Sequence, residues 1–161
     1  MAKDFAAQLA RYHKIAVDLG PFQAYLHGES AKAALTLPLF EHIEQGRLEA
    51  VTSMLTFATL LSEAYRAKDE ALAQEFNFLL PTFPHLALVE VNQAIADRAA
   101  QLHARQGLSL DHALQLATAR VAGAEVFVTT EAGVSASLAE MDVIVLENDG
   151  EWTWQSPVTM L

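Results

Sequence analysis

Short apolar runs that alternate with helical segments constrain this chain more than any other feature. The runs occupy residues 15–18, 48–52, 86–91, 125–130 and 143–146, and each has the length of a buried strand. Between them the apolar residues recur at helical spacing. Leu35, Leu39, Phe40 and Ile43 mark one such face, and Leu55, Ala58 and Leu61 with Ser62 or Tyr65 a second. Ala113, Leu114, Leu116, Ala117 and Val121 mark a third. The punctuation agrees with this reading. Ser53, Asn92 and Ser109 stand where N-caps are expected, and Gly28, Gly46, Gly107 and Gly123 where helices stop. Strands separated by whole helices cannot form hairpins. They are joined by crossovers, which gives a parallel sheet with helices on both faces.

The helices are expected at 1–14, 21–27, 33–45, 54–67, 71–80, 92–105, 110–122 and 135–141, with Pro21 in a first turn and Pro81 ending its helix. Residues 151–161 carry Trp152 and Trp154 at alternate positions, which predicts an extended segment along a sheet edge. The 161 residues suffice for a single domain, 1–161, with a full core. No cysteine is present, which excludes disulfides and thiolate metal sites. No run approaches eighteen apolar residues, and the N-terminus mixes Lys3, Asp4, Arg11 and Lys14 with alanines, so no membrane segment or signal peptide is expected and a soluble cytoplasmic protein is the default. A net charge of −10 argues against gripping nucleic acid by the overall field and favours a small basic partner. It leaves room for a nuclease, because a bound metal reverses the field locally.

Three acids stand at structurally related places. Asp18 ends the first apolar run, Glu131 follows the fourth, and Asp111 opens the helix that Ser109 caps. In an open parallel sheet these places converge at the carboxyl edge of the strands, where such folds put their sites. Carboxylates gathered there suit a divalent metal. Taken singly, Asp18 reads as an N-cap, Asp111 as a complement to the helix dipole and Glu131 as a solvated acid. His112 follows Asp111 directly but points about 100° away from it on a helix. His13, His27, His42, His85 and His103 are scattered without metal-ligand spacing, and Arg98 and Arg105 lie two turns apart on one helix. Gly-rich phosphate loops, a G-x-S-x-G elbow and H-E-x-x-H are absent from the sequence, which disfavours nucleotide-binding, hydrolase-triad and zincin readings.

With these residues in view, the chain resembles the PIN-domain family and, within it, the VapC-like toxin branch. The resemblance runs from about residue 15 to 146. It is carried by IADRAAQLHARQGLSLDHALQLATA at 95–119, by GRLEAVTSMLTFATLL at 46–61 and by AEVFVTT at 124–130. It implies a three-layer α/β/α fold on a five-stranded parallel sheet of order 3-2-1-4-5. It also implies a ribonuclease site of about four carboxylates holding Mg2+ or Mn2+, a small basic antitoxin as partner, and a homodimer. Carried over by position, Asp18, Asp111 and Glu131 match three of the acids as catalytic and metal-holding residues. Glu131 is one methylene longer than the usual Asp, and Leu19 replaces a small residue. Thr59 lies where the second acid, a Glu, is expected. Ser53 and Thr129 resemble the small polar residues beside the site, and Glu63, one turn after Thr59, is a candidate substitute acid. The departures support an alternative expectation, a catalytically inactive PIN-like module for binding RNA or protein.

Overall fold

Strand β1 (Lys14–Val17) lies at the middle of a parallel sheet, with β2 (Glu49–Ser53) on one side and β4 (Val126–Thr129) on the other. β3 (Leu86–Val89) pairs outside β2, and β5 (Asp142–Leu146) outside β4, both parallel. A sixth strand, β6 (Trp152–Gln155), adds to β5 antiparallel, so the order is β3-β2-β1-β4-β5-β6. The first five strands follow the expected order, and the tryptophan segment supplies the extra one. The computed structural model describes residues 2–28 and 30–157. Met1 and residues 158–161, which the expected terminal segments include, lie outside the described residues.

Alternation along each strand builds two cores. Ile15, Val17, Val126, Val128, Ile144 and Leu146 face one layer, where they meet Phe5, Leu9, Phe22, Leu39, Phe40 and Leu60. That layer is built from α1 (Ala2–Leu9), α2 (Leu19–Leu26), α3 (Ser30–Glu44), α4 (Met54–Arg66) and α5 (Glu70–Thr82). Ala16, Val51, Phe127, Val143 and Val145 face the other layer and pack on Leu116, Ala119 and Ala136. Here lie α6 (Gln93–Gln106), α7 (Leu110–Val121) and α8 (Ala136–Ala139). Each fully buried Leu, Ile, Val or Phe contributes about 1.5–3 kcal/mol, so the two-sided burial of β1, β4 and β5 anchors the sheet. Among the described residues no helix is long and apolar enough to cross a membrane.

Several boundaries differ from expectation, each for a local reason. The first helix ends at Leu9 rather than reaching Lys14. The Glu125 carboxylate accepts from the backbone N–H groups of His13 and Lys14 at 2.6 and 2.8 Å and holds that segment extended. Tyr12 is buried there, donating to Asp142 at 2.7 Å and accepting from Trp154 Nε1 at 3.0 Å. Helix α2 starts at Leu19, ahead of Pro21, because Asp18 caps it. Pro21 fits inside the first turn, where its missing N–H has no intrahelical partner to lose. Helix α5 runs through Pro81 to Thr82, and β3 stops at Val89.

The inner face of α4 was also expected elsewhere. Thr56, Leu60 and Ala64 are buried, whereas Ala58, Ser62 and Tyr65 are exposed. A hydroxyl leads this face because Thr56 bonds Thr52 at 2.7 Å and accepts from Gln115 at 2.7 Å. On α7, Gln115 is buried and Val121 exposed, the reverse of an apolar-only reading. Gly107 ends α6 in the left-handed region at φ 70°, which turns the chain sharply into α7.

Candidate functional site

β1 delivers Asp18 to the carboxyl edge of the sheet. Its backbone N–H still donates to Val128 O at 2.9 Å, so the residue is the last rung between β1 and β4. Its side chain turns in to cap α2, with Oδ1 accepting from Leu19 N at 2.8 Å. Oδ2 accepts from the Thr129 hydroxyl at 2.8 Å. Thr129 is fully buried at the end of β4, and the same hydroxyl accepts from the Glu131 N–H at 3.0 Å. One threonine therefore ties the Asp18 carboxylate to the loop that carries Glu131. A carboxylate that is 2 % exposed needs such donors, since burying an unbonded charge is costly.

The same edge opens into a cleft of about 150 Å3 lined by Asp18, Leu19, Leu55, Thr59, Ser109, Asp111, His112 and Gln115. Ser109 caps α7 through its hydroxyl, which accepts from His112 N at 3.4 Å. That cap presents the exposed Asp111 and the half-buried His112 to the cleft. Gln115, one turn further on, bonds Thr56 and accepts from the Ser53 N–H at 3.3 Å. It fixes the spacing between α7 and the start of α4, where the Ser53 hydroxyl caps the helix. Thr59 lines the cleft from the α4 turn that follows.

The expected residues are therefore distributed unevenly. Asp18, Thr59 and Asp111 share the cleft. Thr129 and Ser53 stand behind it as supports. Glu131 reaches it only across His112, whose Nδ1 lies 3.4 Å from Asp18 Oδ2 and whose Nε2 lies 3.7 Å from Glu131 Oε2. Glu63 turns toward α2 instead, accepting from Gln23 Nε2 at 2.7 Å and lying 3.4 Å from His27 Nε2.

Sequence reasoning underweighted His112 and missed Gln115. The signal for Gln115 was present: it follows Asp111 by four residues and so shares its helix face. His112 Nδ1 is enclosed and makes no aligned hydrogen bond among the described residues, although the Asp18 carboxylate is beside it. That contact raises its pKa. Burial opposes the shift, and the charges of Asp18, Glu131 and Asp111 add to it.

Among the described residues no three carboxylate or imidazole groups are gathered closely enough to cage a metal ion. The donors nonetheless suit one kind of ion. Asp18 and Asp111 offer only hard carboxylate oxygen, and Thr59 and Ser109 add hydroxyls. Mg2+ and Mn2+ prefer oxygen, and Mg2+ keeps several waters and needs only one or two carboxylates.

Comparison with known proteins agrees with this architecture. No curated protein sequence matches the chain. Among solved structures, a toxin–antitoxin complex from Klebsiella pneumoniae is 20% identical, covering 74% of this chain and 92% of that one, with a TM-score of 0.56. FitAB bound to an IR36 DNA fragment is 18% identical over 83% of this chain and 94% of that one, with a TM-score of 0.63. FitAcB from Neisseria gonorrhoeae is 19% identical over 80% and 95%, with a TM-score of 0.62. At these identities the likeness is one of fold. The family model for the PIN domain matches residues 21–136, well over half of the chain, and the protein belongs to the PIN-domain family.

Proposed function

We propose that the protein is a divalent-metal-dependent RNA endonuclease of the toxin type. The observation that carries this reading is the buried Asp18 carboxylate, held by Leu19 and Thr129, lining the same cleft as the exposed Asp111. Asp18 and Asp111 would hold Mg2+ or Mn2+, with Glu131 as the third acid. When bound, such an ion supplies positive charge to the phosphate oxygens and acidifies a water at neutral pH. The chain itself supplies position. Thr129 fixes Asp18, the Ser109 cap fixes the first turn of α7 and so Asp111, and Gln115 keeps α4 and α7 at the width of the cleft. His112 lies between the Asp18 and Glu131 carboxylates, 3.4 and 3.7 Å from them.

A small basic antitoxin fits as partner. The net charge of −10 favours a basic protein, and structures of similar fold come from toxin–antitoxin complexes. Exposed Phe78, Tyr65 and Leu37 offer apolar area for that partner or for a homodimer. A second reading, a PIN-like module without catalysis, is favoured by Thr59 in the cleft lining and by His112 lodged between two acids. One experiment separates the two. With Mn2+, the purified protein should cleave RNA, Asp111→Asn should abolish cleavage, and Thr59→Glu should raise both metal affinity and turnover. Absence of cleavage by both the wild type and Thr59→Glu would favour the non-catalytic module.

A further inference from the structure

The acidic cleft has a basic neighbour that its chemistry has not used. Arg98, Gln101, Leu102, Arg105 and Gln106 of α6 line a trough of about 120 Å3 with Glu140 on its far wall. A second recess of about 150 Å3 adjoins it at Arg98, lined also by Arg120 and Val121. Three of the chain's ten Lys and Arg residues thus line the two recesses, Arg98 and Arg120 paired with Glu140 and Asp97 bonded to Gln101 beside them, so that cations outnumber acids here on a protein whose net charge is −10. Arg98 and Arg105 are only loosely held by internal partners. Arg98 Nη2 is 3.9 Å from Glu140, and its Nε is enclosed without a hydrogen-bond partner among the described residues. Arg105 donates to the neutral amide oxygen of Gln101 at 3.3 Å. Arg120 is tied more firmly, to the Glu140 carbonyl at 2.7 Å and its carboxylate at 3.3 Å. Glu140 itself is 63% exposed, so its ion pairs are of the weak, displaceable kind.

The Gln106 end of the trough lies nearest the cleft, while Glu140, ahead of β5, lies beside Arg120 at the opposite end of α7 from Asp111. Gln106 lines the trough and Ser109 the cleft, and three residues of chain span at most about 11 Å. His103 Nδ1–H donates to Leu108 O at 2.7 Å and fixes the turn between them. The lining suits phosphate better than a peptide. Apart from Glu140 and Leu102 it consists of guanidinium and amide groups, of which the Gln101 amide already donates to Asp97 at 2.9 Å, and arginine forks match phosphate oxygens.

We propose that this trough binds the phosphodiester backbone of the single strand whose scissile bond enters the cleft, with Arg98 and Arg105 contacting successive phosphates and Glu140 acting as the resident anion that the strand displaces. The inference rests on the RNA reading above.

The test uses a labelled 2′-O-methyl oligouridylate, which resists cleavage, titrated by fluorescence anisotropy over a KCl series without divalent ions. For the Arg98→Gln/Arg105→Gln protein the slope of log affinity against log salt should flatten by about 1.4 and affinity should fall roughly tenfold. Glu140→Gln should bind about threefold tighter, the scale of one exposed ion pair. That opposite sign stands even if the double variant folds poorly. Wild-type affinity and slope in the double variant would overturn the proposal. So would no binding by the wild type, or a preference for poly-glutamate over the oligonucleotide. Cleavage assays alongside keep the two ideas apart. Cleavage by the wild type with unchanged KM in the double variant sinks the trough and leaves the nuclease. Arginine-dependent binding without cleavage by any protein supports the trough and counts against the nuclease.

Discussion

Thr129→Val tests whether the buried carboxylate depends on its threonine. The substitution keeps shape and volume, so it opens no cavity, and valine suits a strand at least as well. It removes a hydroxyl that donates to Asp18 at 2.8 Å and accepts from Glu131 N–H at 3.0 Å. A bond to a charged group is worth about 1.5–3 kcal/mol. The lost acceptor adds little, because the Glu131 amide is only partly buried and reaches water. Some relief comes from His112, whose Nδ1 is already 3.4 Å from the same carboxylate oxygen. The net loss should be about 2 kcal/mol. In a domain of this size that lowers Tm by roughly 4–8 °C.

Urea unfolding at neutral pH measures it, with the m value unchanged if the denatured state is unaffected. The decisive comparison repeats the substitution in an Asp18→Asn background. There the hydroxyl no longer faces a charge, and the cost should fall to about 1 kcal/mol, leaving a coupling of about 1 kcal/mol. An equal cost in both backgrounds would refute the idea that Thr129 holds the Asp18 charge. So would a loss below about 0.5 kcal/mol in the wild-type background.

Gly20 carries a second test, because a Cβ there would lie 1.9 Å from Thr130 Oγ1 and 2.9 Å from Thr130 Cβ. Gly20→Ala should cost about 1–3 kcal/mol by chemical denaturation; in a Thr130→Ala background, where the 1.9 Å clash with Oγ1 is gone and only the 2.9 Å contact with Cβ remains, the same change should cost clearly less. Tyr12 sets an alkaline limit: burial, then its hydrogen bond and proximity to Asp142, push its pKa up to about 12. The fold binds the neutral phenol, so that stabilisation is full below the unfolded value near 10 and is lost as pH rises from there through 12, about 2–3 kcal/mol in all. Tyr12→Phe should flatten the fall in stability across that window, and a stability profile as steep as the wild type's would count against the assignment.

The strands were legible because each is an apolar run bounded by a helix signal, and β1, β4 and β5 are buried on both faces, whereas their order followed from the family resemblance and not from the runs. The caps were legible for a similar reason: Ser53, Asn92 and Ser109 each do with a side chain what the first turn of a helix requires. The sixth strand was visible only as two tryptophans. Its pairing depends on contacts remote in sequence, Trp154 with Tyr12 and Asp142, and the Arg11 guanidinium 5.0 Å from the Trp154 ring centroid. No local pattern encodes those.

The faces of α4 and α7 were read less well, and the cause lies in the site itself. Apolar periodicity assumes that what is buried is hydrophobic. Near the carboxyl edge that assumption fails: Asp18, Thr52, Ser53, Thr56, Gln115 and Thr129 are all buried, and most bond one another. Such a network stabilises only when its donors and acceptors are satisfied, because each orphaned group forfeits a desolvation cost. It therefore fixes spacing between α4, α7, β1 and β4 more tightly than apolar contacts do, since a hydrogen bond tolerates little change in length. A hydrophobic substitution at Gln115 would preserve burial and lose that spacing. The departures from periodicity at Thr56 and Gln115 thus mark the site, and they do so without reference to any acid: the residues that spoiled the reading of the helix faces are the ones that hold the cleft open.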